Sequence, residues 1–182
     1  FDFDETTATN FHFIDSGLSY DGTATTSITG LDHLEGQTVQ ILADGSTHAD
    51  KIVSSGGITL DRSSKKVRVG LGYDSVLQTM RVEGGSAEGT GQGKIKRISK
   101  VVLRLFNTVG AKCGPSLTNL ETVPFRTTSS DMDSPVSTLL AGDKTVEFTD
   151  DYNSDGFIFV KQDQPLPLSI LAIYPTFVIS DG

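Results

Sequence analysis

Apolar residues in this chain come in short alternating runs, interrupted about every ten residues by Gly, Asp, Asn or Ser. No long window places apolar residues at i, i+3, i+4 and i+7, so no amphipathic helix is predicted. Alternation between turn signals is instead the pattern of an all-β chain. Residues 38–43 set Val39, Ile41 and Ala43 against Thr38, Gln40 and Leu42, and Asp44-Gly45 follows at once. That dipeptide is the strongest short hairpin signal, because both positions tolerate a positive φ. Residues 51–54 and 58–61 flank a second turn, Ser55-Gly56-Gly57. Gly70 and Gly72 interrupt the run 66–73, which predicts a bulge or tight bend there. With 76–82 as a closing strand, residues 23–82 are expected to form a small β-barrel or sandwich unit.

The stretch 83–93 (EGGSAEGTGQG) is glycine-rich and reads as a linker or flexible loop. Behind it, 94–107 is the longest candidate strand. Val101, Leu103 and Leu105 would face a core, while Lys100 and Arg104 face out with Val102 and Phe106. Residues 110–115 and 117–125 lead to a Ser/Thr/Asp loop at 127–137. Strands at 145–148, 157–161 and 168–179 follow, and Pro175 places the last at a sheet edge or a bend. Near the start, Phe11 and Phe13 alternate with His12 and Ile14, then Asp15-Ser16-Gly17 turns into 18–20. The expected fold is therefore all-β. Residues 83–182 would form a second antiparallel β-sandwich unit, with residues 1–22 pairing into it.

Composition narrows the function. The 182 residues include 15 Lys/Arg against 23 Asp/Glu, for a net charge of −8, with one Cys and three His. A single Cys excludes a disulfide scaffold and a multi-cysteine zinc site. No stretch reaches the ~18–20 apolar residues of a spanning helix, so no membrane span is expected. Gly93-Lys94 suggests a phosphate loop, but Glu88 and Ile95 occupy positions that should be Gly and Ser or Thr, and a strand pattern follows. Residues 151–156 (DYNSDG) match the start of a calcium loop, yet Gln162 stands where a bidentate Glu belongs. A hairpin loop with side chains on backbone amides, and Gly156 at positive φ, is the reading preferred there. Lys94, Lys96, Arg97, Lys100 and Arg104 form a basic stripe, read first as a solvated or salt-bridged face, then as a subunit contact, and last as a nucleic-acid site. Cys113 has no recognisable His partner in His33 or His48, and the pairs Asp131/Asp133 and Asp150/Asp151 fall in polar stretches. No residue is assigned a catalytic, cofactor-binding or metal-binding role, and no enzyme is expected.

Longer segments resemble a known group of proteins. FIDSGLSY (13–20), GLDHLEGQTVQILADG (30–45), ITLDR (58–62), VGLGY (69–73) and GTGQGKIKRISKVVLRL (89–105) are similar to the C-terminal region of large structural tail proteins of short-tailed bacteriophages. PFRT (124–127), GDKTVEF (142–148) and QDQPLPLSILAIYP (162–175) extend the resemblance over most of the chain. It implies a non-enzymatic virion component of the tail tube, nozzle or hub, made in the host cytoplasm. Its partners would be other virion tail proteins and copies of itself in a ring, with DNA passing transiently and without sequence recognition. The resemblance, together with Phe1 in place of Met, gives the expectation of an excised end of a larger protein. The alternative is a carbohydrate- or receptor-binding β-sandwich module, for which Tyr20, Tyr73 and Tyr152 near turns are a thin aromatic platform in a chain without Trp.

Overall fold

The computed structural model describes residues 6–84, 90–91, 93–125, 139–148 and 151–180. They hold three antiparallel sheets and two single-turn 3-10 helices, Ala8–Asn10 and Asp32–Leu34. The chain divides into two compact units, the first built mainly from residues before Ser75 and the second from those after Asp74.

The first unit contains β1 (Asp15–Thr29), β2 (Thr38–Ala43), β3 (Ser46–Ile52) and β4 (Gly57–Leu71), in the sheet order β1-β4-β2-β3. Both turns expected from the sequence are present. Asp44 and Gly45 adopt φ of 50° and 79° between β2 and β3, and Ser55 and Gly56 adopt 55° and 67° between β3 and β4. Carboxylates hold these turns in place. Asp44 accepts the Lys66 N–H at 2.8 Å, and Glu35 accepts those of Ser55 and Gly56 at 2.9 and 2.8 Å. Leu31, Val39, Ile41, Val67 and Val69 form the centre of its core. The sheet stays open, with β1 and β3 as its edges, so the expected small barrel is not closed.

Other local expectations change as well. Residues 11–14 are not a strand, although Phe11 and Ile14 are buried. Asp15-Ser16-Gly17 does not reverse the chain: it is the irregular start of β1, with the register shifting between Asp15 and Leu18. Leu18, Ser19 and Tyr20 pair with Val69, Arg68 and Val67, so the segment expected in the second unit belongs to the first. The physical reason is visible at Gly70. A Cβ there would lie 2.6 Å from the Asp15 carbonyl oxygen, so only glycine lets the two backbones approach. The runs 58–61 and 66–71 prove to be one continuous strand, β4, and Gly72 and Tyr73 lie beyond its end.

In the second unit, β5 (Ser75–Gln78), β7 (Lys112–Ser116), β8 (Asn119–Thr122) and β10 (Phe159–Gln162) form a sheet in the order β5-β10-β7-β8. The other sheet is β11-β6-β9, from β6 (Ile95–Thr108), β9 (Leu140–Glu147) and β11 (Ile170–Ser180). Val101, Leu103 and Leu105 of β6 point inward as their alternation predicts, and meet Cys113 of β7 and Val160 of β10 in one core. This is sandwich packing. The strand expected at 76–82 to close the first unit is shorter and pairs with β10 instead, because its partner lies some eighty residues away and leaves no local signal. Pro175 lies in β11, an edge strand, as expected. The loop expected at 127–137 lies outside the described residues.

Candidate assembly surface

Strand β6 has an irregularity that reshapes its outer face. Thr176 of β11 pairs with Lys100, but the next residue, Phe177, pairs with Ile98, so Ser99 is the extra residue of a bulge. Without it, strict alternation would put Ile98 on the face opposite Val101. With it, Ile98 joins Val101, Leu103 and Leu105 inside, Lys96 also turns inward, and Arg97 turns out. The basic stripe is therefore divided. Lys96 is buried and its Nζ donates to the Val82 carbonyl at 3.2 Å, whereas Arg97 and Arg104 remain exposed.

Outside, the three strands present three columns. On β9 stand Asp143, Thr145 and Glu147; on β6, Arg97, Lys100, Val102, Arg104 and Phe106; on β11, Leu171, Tyr174, Thr176 and Val178. Arg104 joins all three. Its Nε and Nη2 donate to the two Asp143 carboxylate oxygens at 2.8 and 2.9 Å, and its guanidinium lies 5.4 Å from the Tyr174 ring centroid. The bidentate bond from Arg104 holds the Asp143 carboxyl below the ordinary carboxylate range and pushes the guanidinium pKa up. On the same face Leu171 is 64 % and Val178, beside Arg97, 55 % exposed, and Phe106 and Tyr174 are exposed too. An Arg oriented by a carboxylate, with aromatic and aliphatic neighbours, is the composition of interface hot spots.

The remaining residues singled out from the sequence hold structural positions. Asn153 Oδ1 accepts the N–H groups of Asp155 and Gly156 at 3.0 and 2.7 Å, Gly156 has a φ of 60°, and Arg81 pairs with Asp155 at 2.8 Å. The loop thus has the geometry of a self-capped turn. Gln162 lies in β10 and donates to the Gly110 carbonyl at 2.8 Å. Lys94 leads into β6, a strand and not a helix. Cys113 is buried in β7 among apolar neighbours, which pushes its thiol pKa up to about 12. Neither His33 nor His48 is in its unit. His33 Nε2 contacts the Ser16 carbonyl at 3.0 Å. Tyr20 donates its hydroxyl to the Thr23 carbonyl at 2.7 Å, while Tyr73 and Tyr152 are exposed in different units. Asp131, Asp133, Asp150 and Glu88 lie outside the described residues.

One cluster escaped the sequence reading. His48 accepts the Asp61 N–H on Nε2 at 2.9 Å and donates from Nδ1 to the Ala49 carbonyl at 2.8 Å, which fixes its tautomer. Lys51 Nζ donates to Asp61 at 2.6 Å and holds that carboxyl below its ordinary pKa. The cluster fastens β3 to the near half of β4, where no ladder does. A polar cleft of about 390 Å³ lies against it, lined by Gln40, Thr47, His48, Asp50 and Asp163. Both ring nitrogens of His48 are engaged, so it offers no free base there. Among the described residues no group of three His, Cys, Asp or Glu is gathered to hold a metal ion, and no helix is long and apolar enough to cross a membrane. Compared with known proteins, the chain matches no family model and has no significant match among curated proteins.

Proposed function

We propose that this chain is a non-enzymatic structural part of a bacteriophage tail, of the tube, nozzle or hub type. It acts through contacts with copies of itself, arranged as a ring in the whole protein, and with other virion tail proteins. The observation that supports an assembly role is the outer face of β11-β6-β9, where an oriented Arg104 lies against Tyr174 and the same face exposes Phe106, Leu171 and, farther along beside Arg97, Val178. A surface of this kind gains from burial against a protein partner. The resemblance of residues 13–179 to short-tailed phage tail proteins supplies the context. In that setting the protein is made in the host cytoplasm and ends in the virion. The acidic excess of the chain suits a wall past which DNA moves without sticking, because carboxylates repel phosphates.

Cross-linking of purified phage particles, followed by mass spectrometry, tests this reading. The expected result is linkage of Lys100 or Lys144 to another tail protein or to a second copy. Recovery of the chain only in the soluble lysate, never in particles, would overturn it. Substitution of Tyr174 and Phe106 together by Ser is expected to leave the fold intact by circular dichroism while lowering incorporation into particles.

A further inference from the structure

The described residues leave six strand edges open: β1 and β3 in one sheet, β5 and β8 in the second, β9 and β11 in the third. An open edge is a row of backbone donors and acceptors that will pair with another strand unless something prevents it, and charge is the usual guard. Asp15 and Asp21 guard β1; Asp50 and Lys51 guard β3; Asp143, Lys144 and Glu147 guard β9. Four-residue β5 and β8 are too short to offer much. By contrast β11 has eleven residues, ILAIYPTFVIS, and not one is charged. Its one guard is Pro175, which has no N–H to give.

From this edge we infer that β11 pairs antiparallel with the β11 of a second copy, across a two-fold axis through Val178. Pro175 limits the pairing to the segment Thr176-Phe177-Val178-Ile179-Ser180, and that segment is self-complementary. Thr176 meets the partner's Ser180, Phe177 meets the partner's Ile179, and Val178 meets itself. Outward polar residues oppose polar ones, and inward apolar residues oppose apolar ones. All but Ser180 are β-branched or aromatic, the residue types that favour strands.

Charge points to the same occupant. Residues 1–74 have eleven Asp/Glu against five Lys/Arg, whereas residues 75–182, which contain β11, have twelve against ten. A copy can therefore meet itself through this part of the chain with little net repulsion. The inference does not rest on the tail reading: a two-fold contact gives pairs, while a ring needs a contact that repeats in one direction.

The test uses single-cysteine chemistry on the whole chain. Opposed residues of an antiparallel pair stand about 4.5–5.5 Å apart between Cα atoms, within the roughly 4.4–6.8 Å span of a disulfide. Val178→Cys is expected to double in mass on non-reducing gels under mild oxidation. Leu171→Cys, equally exposed on the same strand but beyond Pro175, is expected to stay monomeric. The wild-type chain is the blank, since Cys113 is buried. Val178→Lys places like charges face to face and is expected to shift a sedimenting dimer to monomer. A wild-type chain that sediments as monomer across the micromolar range, or Leu171→Cys linking as readily as Val178→Cys, overturns the proposal. Pairs without any larger ring would leave this contact standing and count against the ring.

Discussion

The two units reach their sheets by opposite routes. In the first, β2, β3 and β4 follow one another through two-residue turns, and Asp44 and Glu35 clamp the turn amides. In the second, β7 and β8 form a local hairpin, but β5 pairs with β10, and β6 with β11 and β9, across long stretches of chain. Local turn chemistry therefore sets the register of β2, β3 and β4, while β1 meets β4 across the intervening β2–β3 hairpin. The second relies on the inward alternation of Val101, Leu103 and Leu105, corrected by one bulge at Ser99. The lesson is that the first unit is most sensitive at its turns and backbone crossings. The second is most sensitive in its core, and its outer β11-β6-β9 face sets exposed Phe106, Leu171, Tyr174 and Val178 among charged residues.

The largest effect is expected from Leu103→Ala. Leu103 is fully buried at the centre of the second core, and removing its branched end should cost about 2–5 kcal/mol. Urea denaturation measures the loss. Hydrogen exchange should show faster exchange in β6, β9 and β11 and unchanged exchange in β2 and β4. Equal loosening of all these strands would break the description of two separate cores.

A smaller loss is expected from Gly70→Ala, and it probes the first unit where backbones cross. The added Cβ would sit 2.6 Å from the Asp15 carbonyl oxygen and 2.8 Å from the Gly17 Cα, neither of which is a flexible side-chain end. Overpacking of this kind costs about 1–3 kcal/mol. The damage should appear as lost exchange protection in Leu18–Tyr20 amides. A neutral substitution would mean that β1 does not lie where its pairing with β4 places it.

How much of this could be read from the residues follows the same division. Asp44-Gly45 and Ser55-Gly56 announced their hairpins because the dipeptides themselves favour positive φ. Val101, Leu103 and Leu105 announced a core face by simple alternation. The bulge at Ser99 left no mark, since serine is ordinary on either face, and so the burial of Lys96 was missed. The glycine cluster predicts a boundary between the units at 82/83, but in this stretch it falls between Asp74 and Ser75. That position is decided by the pairing of β5 with β10, which no local window contains. The assembly surface was half legible: Lys100, Arg104, Val102 and Phe106 were expected to face out, but only the fold brings Tyr174 and Asp143 to Arg104.

The smallest expected effect concerns one exposed ion pair from each unit, Arg104 with Asp143 and Lys51 with Asp61, and it separates them by titration. Asp143 is held below the ordinary 3.8 by its hydrogen bonds from Arg104. Asp61 is held below 3.8 by its bond from Lys51. A carboxyl whose folded pKa is depressed contributes stability that is fully present above its unfolded pKa. That contribution is lost as the pH falls through the lower folded value. Both contributions should therefore persist at neutral pH and fade only below about pH 3.8, and salt should weaken them because both pairs face solvent. Carboxyl carbon NMR against pH reads the two midpoints directly. Arg104→Ala should return the Asp143 midpoint to its ordinary value and leave Asp61 where it was, and Lys51→Ala should do the reverse. Movement of both midpoints with either substitution would join what the fold keeps apart.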